Sequence, residues 1–291
     1  EHFYQFIYLF HMPLFVFLSG YFMNKSQEQR KFYRGLLLVI ETYLVFRIPS
    51  YLISCAHGIK NPIDILNPSW AMWYLPSLVI WKFVVYNLPQ NILSQKKLFI
   101  SLLLFISILG GFVAYNRFAF QRIITYFPMF IIGYYCRENN FLVWIKRMPL
   151  AISIIVPLIC LGCLFFSNVE TSVLFYQNNS YYTQPISVQN GVFVRLGWYV
   201  ITITISLAIL PLLLRIKNAY FAFYGRYTLL FYVCHVFFLT YFKYVVNSLH
   251  LSSIWMLPTF FCIIIILGII AKSRYQKYIT NPFSTILKIE K

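Results

Sequence analysis

Acidic side chains are scarce in this chain: 7 Asp and Glu stand against 24 Lys and Arg in 291 residues. Charge of either sign makes up only 11% of the sequence, where an ordinary soluble domain carries about 25%. Hydrophobic residues make up 60%. So few charges cannot clothe a water-facing surface, which leaves no room for a separate soluble domain. The motifs that carry chemistry in soluble enzymes are also missing. There is no phosphate-binding glycine-rich loop, no nucleophile elbow and no His pair at zinc spacing. The six cysteines, Cys55, Cys136, Cys160, Cys163, Cys234 and Cys262, lie mostly inside apolar segments, where the thiol serves as a small buried hydrophobe. Cys160 and Cys163 have the spacing of half a zinc site, but no second pair or histidine accompanies them. No metal and no bound cofactor is implied. The net charge of +17 does not point to nucleic acid, because the cations fall in short groups between apolar segments rather than on one face.

What the sequence has is uncharged length. Leu98 to Asn116, Met148 to Val169 and Ser248 to Ala271 each approach or exceed the roughly 20 residues that cross about 30 Å of hydrocarbon. Runs such as Ile100 to Ile106 are apolar all round, whereas barrel strands alternate. The windows predict nine helical spans, at 3–23, 35–56, 70–88, 98–116, 120–135, 149–166, 192–214, 219–246 and 253–271. The expected architecture is all-α, a polytopic transmembrane helix bundle forming one domain over 1–291, with the lipid bilayer as its partner. Cations alternate from loop to loop as cytoplasmic retention of Lys and Arg requires. Lys25, Arg30, Lys31 and Arg34 follow the first span, Lys96 and Lys97 the third, Arg137, Lys146 and Arg147 the fifth, Arg215 and Lys217 the seventh, and Lys272, Arg274 and Lys277 the ninth. Those loops are expected in the cytoplasm, and the C-terminus with them. The longest outward loop, Ser167 to Gly191, is rich in Asn, Gln, Ser and Tyr and could cover an external mouth. Asn178-Asn179-Ser180 in it matches a glycosylation acceptor, a triplet frequent by chance. Because Glu1 rather than Met begins the chain and lies on the outer side in this scheme, one further helix is expected upstream.

A charge at bilayer depth is a functional candidate unless it can snorkel. Glu41 and Arg47 lie inside the second span, and Arg34, at its cytoplasmic start, is two turns from Glu41 on the same face. Glu41 serves either a structural ion pair or binding and proton transfer. Lys82 and Lys243 sit near span ends, where snorkelling accounts for them. Arg122, Arg195 and His235 occupy three further spans and Arg226 marks a cytoplasmic approach. Together they could line a polar cavity for phosphate or carboxylate groups, which guanidinium meets with forked donors. His11 sits mid-span beside Met12-Pro13, either as a hydrogen-bonded structural residue or as a chemical one. Aromatic residues, 21% of the chain, cluster at span ends such as Trp70, Trp73 and Tyr74, where interfacial anchoring explains most of them.

The segment Phe10-His11-Met12-Pro13-Leu14-Phe15-Val16-Phe17-Leu18-Ser19-Gly20-Tyr21-Phe22 resembles the second-helix signature of the membrane acyltransferase-3 family, in particular its fucose 4-O-acetylase-like branch. Three more blocks follow in family order: Trp73 to Leu78, Arg122 with Phe127-Pro128-Met129-Phe130-Ile131-Ile132-Gly133-Tyr134-Tyr135, and Gly225 to His235. The resemblance implies about ten transmembrane helices, of which nine are visible. It also implies transfer of an acyl group, commonly acetyl from acetyl-CoA, to a hydroxyl of a cell-surface carbohydrate of the bacterial envelope or its lipid-linked precursor. An acyl-CoA donor and a carbohydrate acceptor are thus the implied partners, with nothing bound permanently. In the family the principal histidine ends the first helix, so it is expected upstream of residue 1. That leaves His11 as an assisting base and the chain as given with little activity. The cations Lys31 and Arg34 suit the donor phosphates, while Arg47, Trp73, Tyr74, Arg122, Arg195, Arg226 and His235 are candidates for holding donor or acceptor. Ile40-Glu41-Thr42-Tyr43 departs from the family's usual Pro-Tyr, so the role of Glu41 rests on its burial alone. Ser19 and Gly20 are expected to permit close helix packing. A transporter or flippase of a lipid-linked sugar, and an inactive remnant, stay open as alternatives.

Overall fold

Each apolar run in the described part of the chain is wound into helix. The structure, a computed structural model, describes residues 2–56, 68, 72–113, 117–138, 140–166, 179–183, 187–216, 218, 222–223, 225, 227–234 and 265–273. In chain order the helices are α1 (His2–Tyr21), α2 (Gln29–Ala56), α3 (Tyr74–Asn87), α4 (Gln90–Ser94), α5 (Lys96–Gly110), α6 (Phe120–Glu138), α7 (Phe141–Ile145), α8 (Leu150–Phe166) and α9 (Val188–Arg215). Tight helical turns lie at Arg117–Ala119 and Tyr181–Thr183, and further helical residues at 228–234 and 265–272. No strand occurs among the described residues, so the fold there is all-α.

Two boundaries differ from the sequence reading. The second helix begins at Gln29 rather than near 35, placing Arg30, Lys31 and Arg34 on its first two turns instead of in a loop. These side chains propagate helix well once their charges reach water. The fourth span stops at Gly110 rather than 116. Gln121 Nε2, at the start of α6, donates to the carbonyls of Gly110 and Val113, both at 2.7 Å, and so closes the end of α5.

Two compact units are distinguished, Glu1–Ser26 with Ile80–Lys217, and Gln27–Val79 with Asn218–Lys291. In the first unit α1 packs against α6, α8 and α9, and α5 against α6. Glycine makes the α1–α6 approach possible. A Cβ on Gly20 would stand 1.9 Å from the Phe130 carbonyl oxygen, and one on Gly133 would stand 2.0 Å from that of Phe17. The expectation for Gly20 is met, whereas Ser19 turns back on its own helix, its hydroxyl donating to the Phe15 carbonyl at 2.7 Å. Trp81 Nε1 donates to Ile123 O at 2.9 Å and Tyr135 Oη to Leu93 O at 2.9 Å, tying α3 and the α4 turn to α6. In the second unit Leu230, Cys234, Leu267 and Ala271 form a buried cluster on which Phe46 of α2, Phe223, Tyr227 and Phe231 pack.

The helices expose many large apolar side chains and bury several polar ones within a largely apolar core. Exposed positions include Leu98, Leu102 and Phe105 on α5, Ile154, Ile155, Leu158 and Ile159 on α8, and Phe193 and Val200 on α9. Buried positions include Arg47, Ser107, Gln121, Thr125, Arg195 and Thr202. Proline stands inside five helices, at Pro13, Pro49, Pro128, Pro157 and Pro211. Each such proline removes a helical hydrogen bond and costs about 3 kcal/mol or more in a soluble helix. Among the described residues α9, with 28 residues, is the helix long and apolar enough to cross a membrane, while Gln5–Tyr21 and Leu150–Phe165 are apolar but shorter.

Candidate functional site

The first unit holds three of the residues singled out in the sequence, His11, Arg122 and Arg195, among a group of aromatic side chains. α9 presents Arg195, Trp198, Tyr199, Thr202 and Ser206 to the interior, a spacing of three, four, seven and eleven that marks one helix face. Arg195, 1% exposed, donates from Nη1 to the Ser107 carbonyl of α5 at 2.7 Å. Tyr199 Oη donates to Thr125 O of α6 at 2.5 Å. A carbonyl can only accept, so the 2.6 Å contact between Ser107 Oγ and Tyr199 Oη has serine as donor. Tyr199 also abuts Trp198, whose ring meets Tyr126 edge-on at 5.2 Å. Arg122, Tyr8 and Tyr199 lie close enough to Tyr126 to act on its phenol electrostatically. From Tyr8 the chain reaches His11, the two rings meeting edge-on at 4.6 Å.

His11 is half-buried, and its Nδ1 lies 2.9 Å from the Ile7 carbonyl one turn back. The neutral imidazole then carries its proton on Nδ1, and Nε2 takes the acceptor form that a base requires. Burying guanidinium beside these phenols puts fixed positive charge in a medium that screens it weakly. Such charge can hold a carboxylate, a phosphate or a carbonyl oxygen that gains charge during reaction.

Tyr181 caps Arg195 from the segment before α9. Its ring lies 4.9 Å from the guanidinium carbon, its hydroxyl donates to Ile108 O at 3.1 Å, and its N–H donates to Gly111 O at 2.7 Å. Burial raises the Tyr181 phenol, and the nearby guanidinium opposes the rise. The ring needs two glycines: a Cβ on Gly111 would stand 2.2 Å from it and one on Gly191 2.6 Å. Tyr181 thus covers the Arg195 guanidinium with one aromatic ring.

The second unit holds the other described candidates. Arg34 and Glu41 are half-buried on α2, and Lys31 is exposed, with its ammonium 3.6 Å from Glu28. An ion pair so exposed is worth little. Arg47 is 0% exposed. Trp73 and Tyr74 depart from the anchoring role read from sequence: both are 4% exposed, Tyr74 meeting Tyr232 edge-on at 5.7 Å. Trp70, Arg226 and His235 lie outside the described residues. No cluster of three or more His, Cys, Asp or Glu side chains suited to a metal occurs among the described residues.

Sequence reasoning missed Tyr8, Ser107, Thr125, Tyr126, Tyr181, Trp198 and Tyr199. The available signal was the run of polar positions at helical spacing within the apolar 192–214 window. Compared with known proteins, the chain matches the family model of an acyltransferase domain over residues 1–272. No curated protein and no solved structure matches it.

Proposed function

The chain belongs to this acyltransferase family, a membrane-associated one, and from that premise we propose a polytopic membrane O-acyltransferase that moves acetyl from acetyl-CoA to a hydroxyl of a cell-surface carbohydrate or its lipid-linked precursor. The observation that carries the reading is the apolar outside of the first unit around buried charge. Large apolar side chains are exposed on its helices, Arg122 and Arg195 are buried within it, and His11 is half-buried beside Tyr8. A bilayer is the solvent in which that arrangement is stable, and neighbouring helices there tolerate the in-helix prolines. His11 assists in drawing the proton from the acceptor hydroxyl as that oxygen attacks the thioester carbonyl. A buried guanidinium holds the carbonyl oxygen as it gains charge, and the coenzyme thiolate leaves. The deciding assay supplies radiolabelled acetyl-CoA to membranes from cells that express the full-length protein. Label transferred to carbohydrate is expected, and its absence with every envelope carbohydrate tried sinks the reading.

Membrane orientation follows from the cation pattern. The loops beginning at Lys25, Lys96, Arg137, Arg215 and Lys272 are placed in the cytoplasm, along with the C-terminus. Tyr182 is 62% exposed beside the Tyr181 cap, so Tyr182→Cys in a background without native cysteines should react with an impermeant maleimide in intact cells. Lys97→Cys should react only after permeabilisation. The opposite pattern inverts the topology.

Arg34 and Lys31, on the first two turns of α2, are assigned to the coenzyme A phosphates. Arg34→Ala should raise the apparent KM for acetyl-CoA about tenfold, the loss of one charge-assisted contact, with the acceptor KM unchanged. A changed acceptor KM with an unchanged donor KM rejects the assignment.

A further inference from the structure

A cavity of about 170 Å³ lies in the first unit between α1, α6, α7 and α9. Phe17, Met129, Ile132, Phe141, Leu207 and Leu210 furnish most of its wall, and Ser206 is the one side chain there with an oxygen or nitrogen. A water molecule needs two to four polar partners to settle, and an apolar cavity of about this size stays dry and takes apolar guests. The same end of the unit is strongly basic. Cys136, in the wall, immediately precedes Arg137, and Phe141, also in the wall, begins the short α7 that runs into Lys146 and Arg147. Arg215 closes α9 one turn beyond Leu210, its Nη2 donating to the carbonyls of Lys146 (3.0 Å) and Met148 (2.6 Å). Arg137 Nη1 donates to Met23 O. The acid at this end, Glu138, is engaged by Lys96. Arg137, Lys146 and Arg147 are exposed. Val143 and Trp144, exposed at 57% and 62%, flank them on α7 with apolar surface of the kind that sits at a bilayer boundary.

We propose that this end of the first unit binds an anionic phospholipid, its headgroup on Arg137, Lys146 and Arg147 and part of one acyl chain in the cavity beneath. The combination selects the ligand. The cations discriminate against a zwitterionic headgroup, and the dry wall discriminates against an anion without a hydrocarbon chain. The site rests on the membrane reading above but not on the acetyl transfer, because none of its residues belongs to the chain from His11 to Arg195.

The test is native mass spectrometry of the full-length protein released from nanodiscs of phosphatidylcholine with and without phosphatidylglycerol. The wild type should retain phosphatidylglycerol in preference to phosphatidylcholine. Lys146→Gln with Arg147→Gln should weaken that retention by roughly fivefold for each cation removed. Leu210→Trp, which fills the cavity, should abolish it while elution and thermal midpoint stay near those of the wild type, and Leu207→Phe serves if Leu210→Trp does not fold. Equal retention of the two lipids, or undiminished retention with the cavity filled, overturns the proposal. Displacement of the lipid by a long-chain acyl-CoA overturns it as well, assigning the pocket to the donor. Protein recovered in the aqueous phase without detergent sinks the membrane reading instead.

Discussion

Gly133→Ala and Gly20→Ala are each expected to lower the thermal midpoint of the detergent-extracted protein by about 6–12 °C, and the two together to leave little folded protein. The added methyl would stand 2.0 Å from the Phe17 carbonyl oxygen in one case and 1.9 Å from that of Phe130 in the other. Backbone atoms cannot rotate aside as a side chain can, so the helices themselves must separate. Overpacking costs about 1–3 kcal/mol even where side chains can yield, so the upper end applies here. For a chain of this size about 3 kcal/mol corresponds to the stated shift, at roughly 2–4 °C for each kcal/mol. Separation also forfeits the weak Cα–H donation to carbonyl oxygen that so close an approach permits. Gly35→Ala on α2 and Gly162→Ala on α8 are the controls, since nothing stands within 4 Å of the added carbon at either position. They should leave stability unchanged or raise it by up to about 1 kcal/mol, because alanine favours helix over glycine. Equal midpoints for Gly133→Ala and Gly162→Ala would show that α1 and α6 are not in backbone contact.

His11→Ala should lower the rate of acetyl transfer by about 10²-fold, the low end of the range for losing acid–base help, as suits an assisting base. The fall should appear in kcat with the donor KM little changed, because the assigned phosphate-binding cations lie on α2. His11→Gln keeps a hydrogen-bonding side chain at the position but supplies no base, so it should be as poor a catalyst and more stable than the alanine variant. Full activity in His11→Gln would reduce His11 to a structural residue that holds the Ile7 carbonyl, and the base would have to be sought elsewhere.

Seven of the described helices, α1, α2, α3, α5, α6, α8 and α9, were legible as apolar windows because uncharged length is itself the signal. α4 and α7 were not, being five residues each, too short for any periodicity to register. α7 also starts from Asn140 in the left-handed region (φ 48°), which Asn tolerates but which no spacing announces. Among the candidates, His11, Arg122 and Arg195 stood out because a charge or imidazole is rare in apolar sequence. The phenols that join them did not, since Tyr8, Tyr126 and Tyr199 are hidden among 24 tyrosines. Arg47 stood out for the same reason as Arg195, but the sequence carries no sign of its complete enclosure. Trp73 and Tyr74 looked like boundary anchors by their place at a span end, a place that a buried aromatic pair can equally occupy.

The glycine contact between α1 and α6 joins positions 113 residues apart, and this has a consequence in time. Translation proceeds at roughly 5–20 residues per second, so the ribosome delivers Gly133 about 6–23 s after Gly20. For that interval α1 has no partner for its glycine face, although α2 and the helices after it are already emerging. The nascent chain must keep that face sheltered by lipid or by the insertion machinery until α6 arrives. Slowing elongation between residues 26 and 120 would therefore lengthen the period in which α1 is open to proteolysis, without changing any residue of the finished protein.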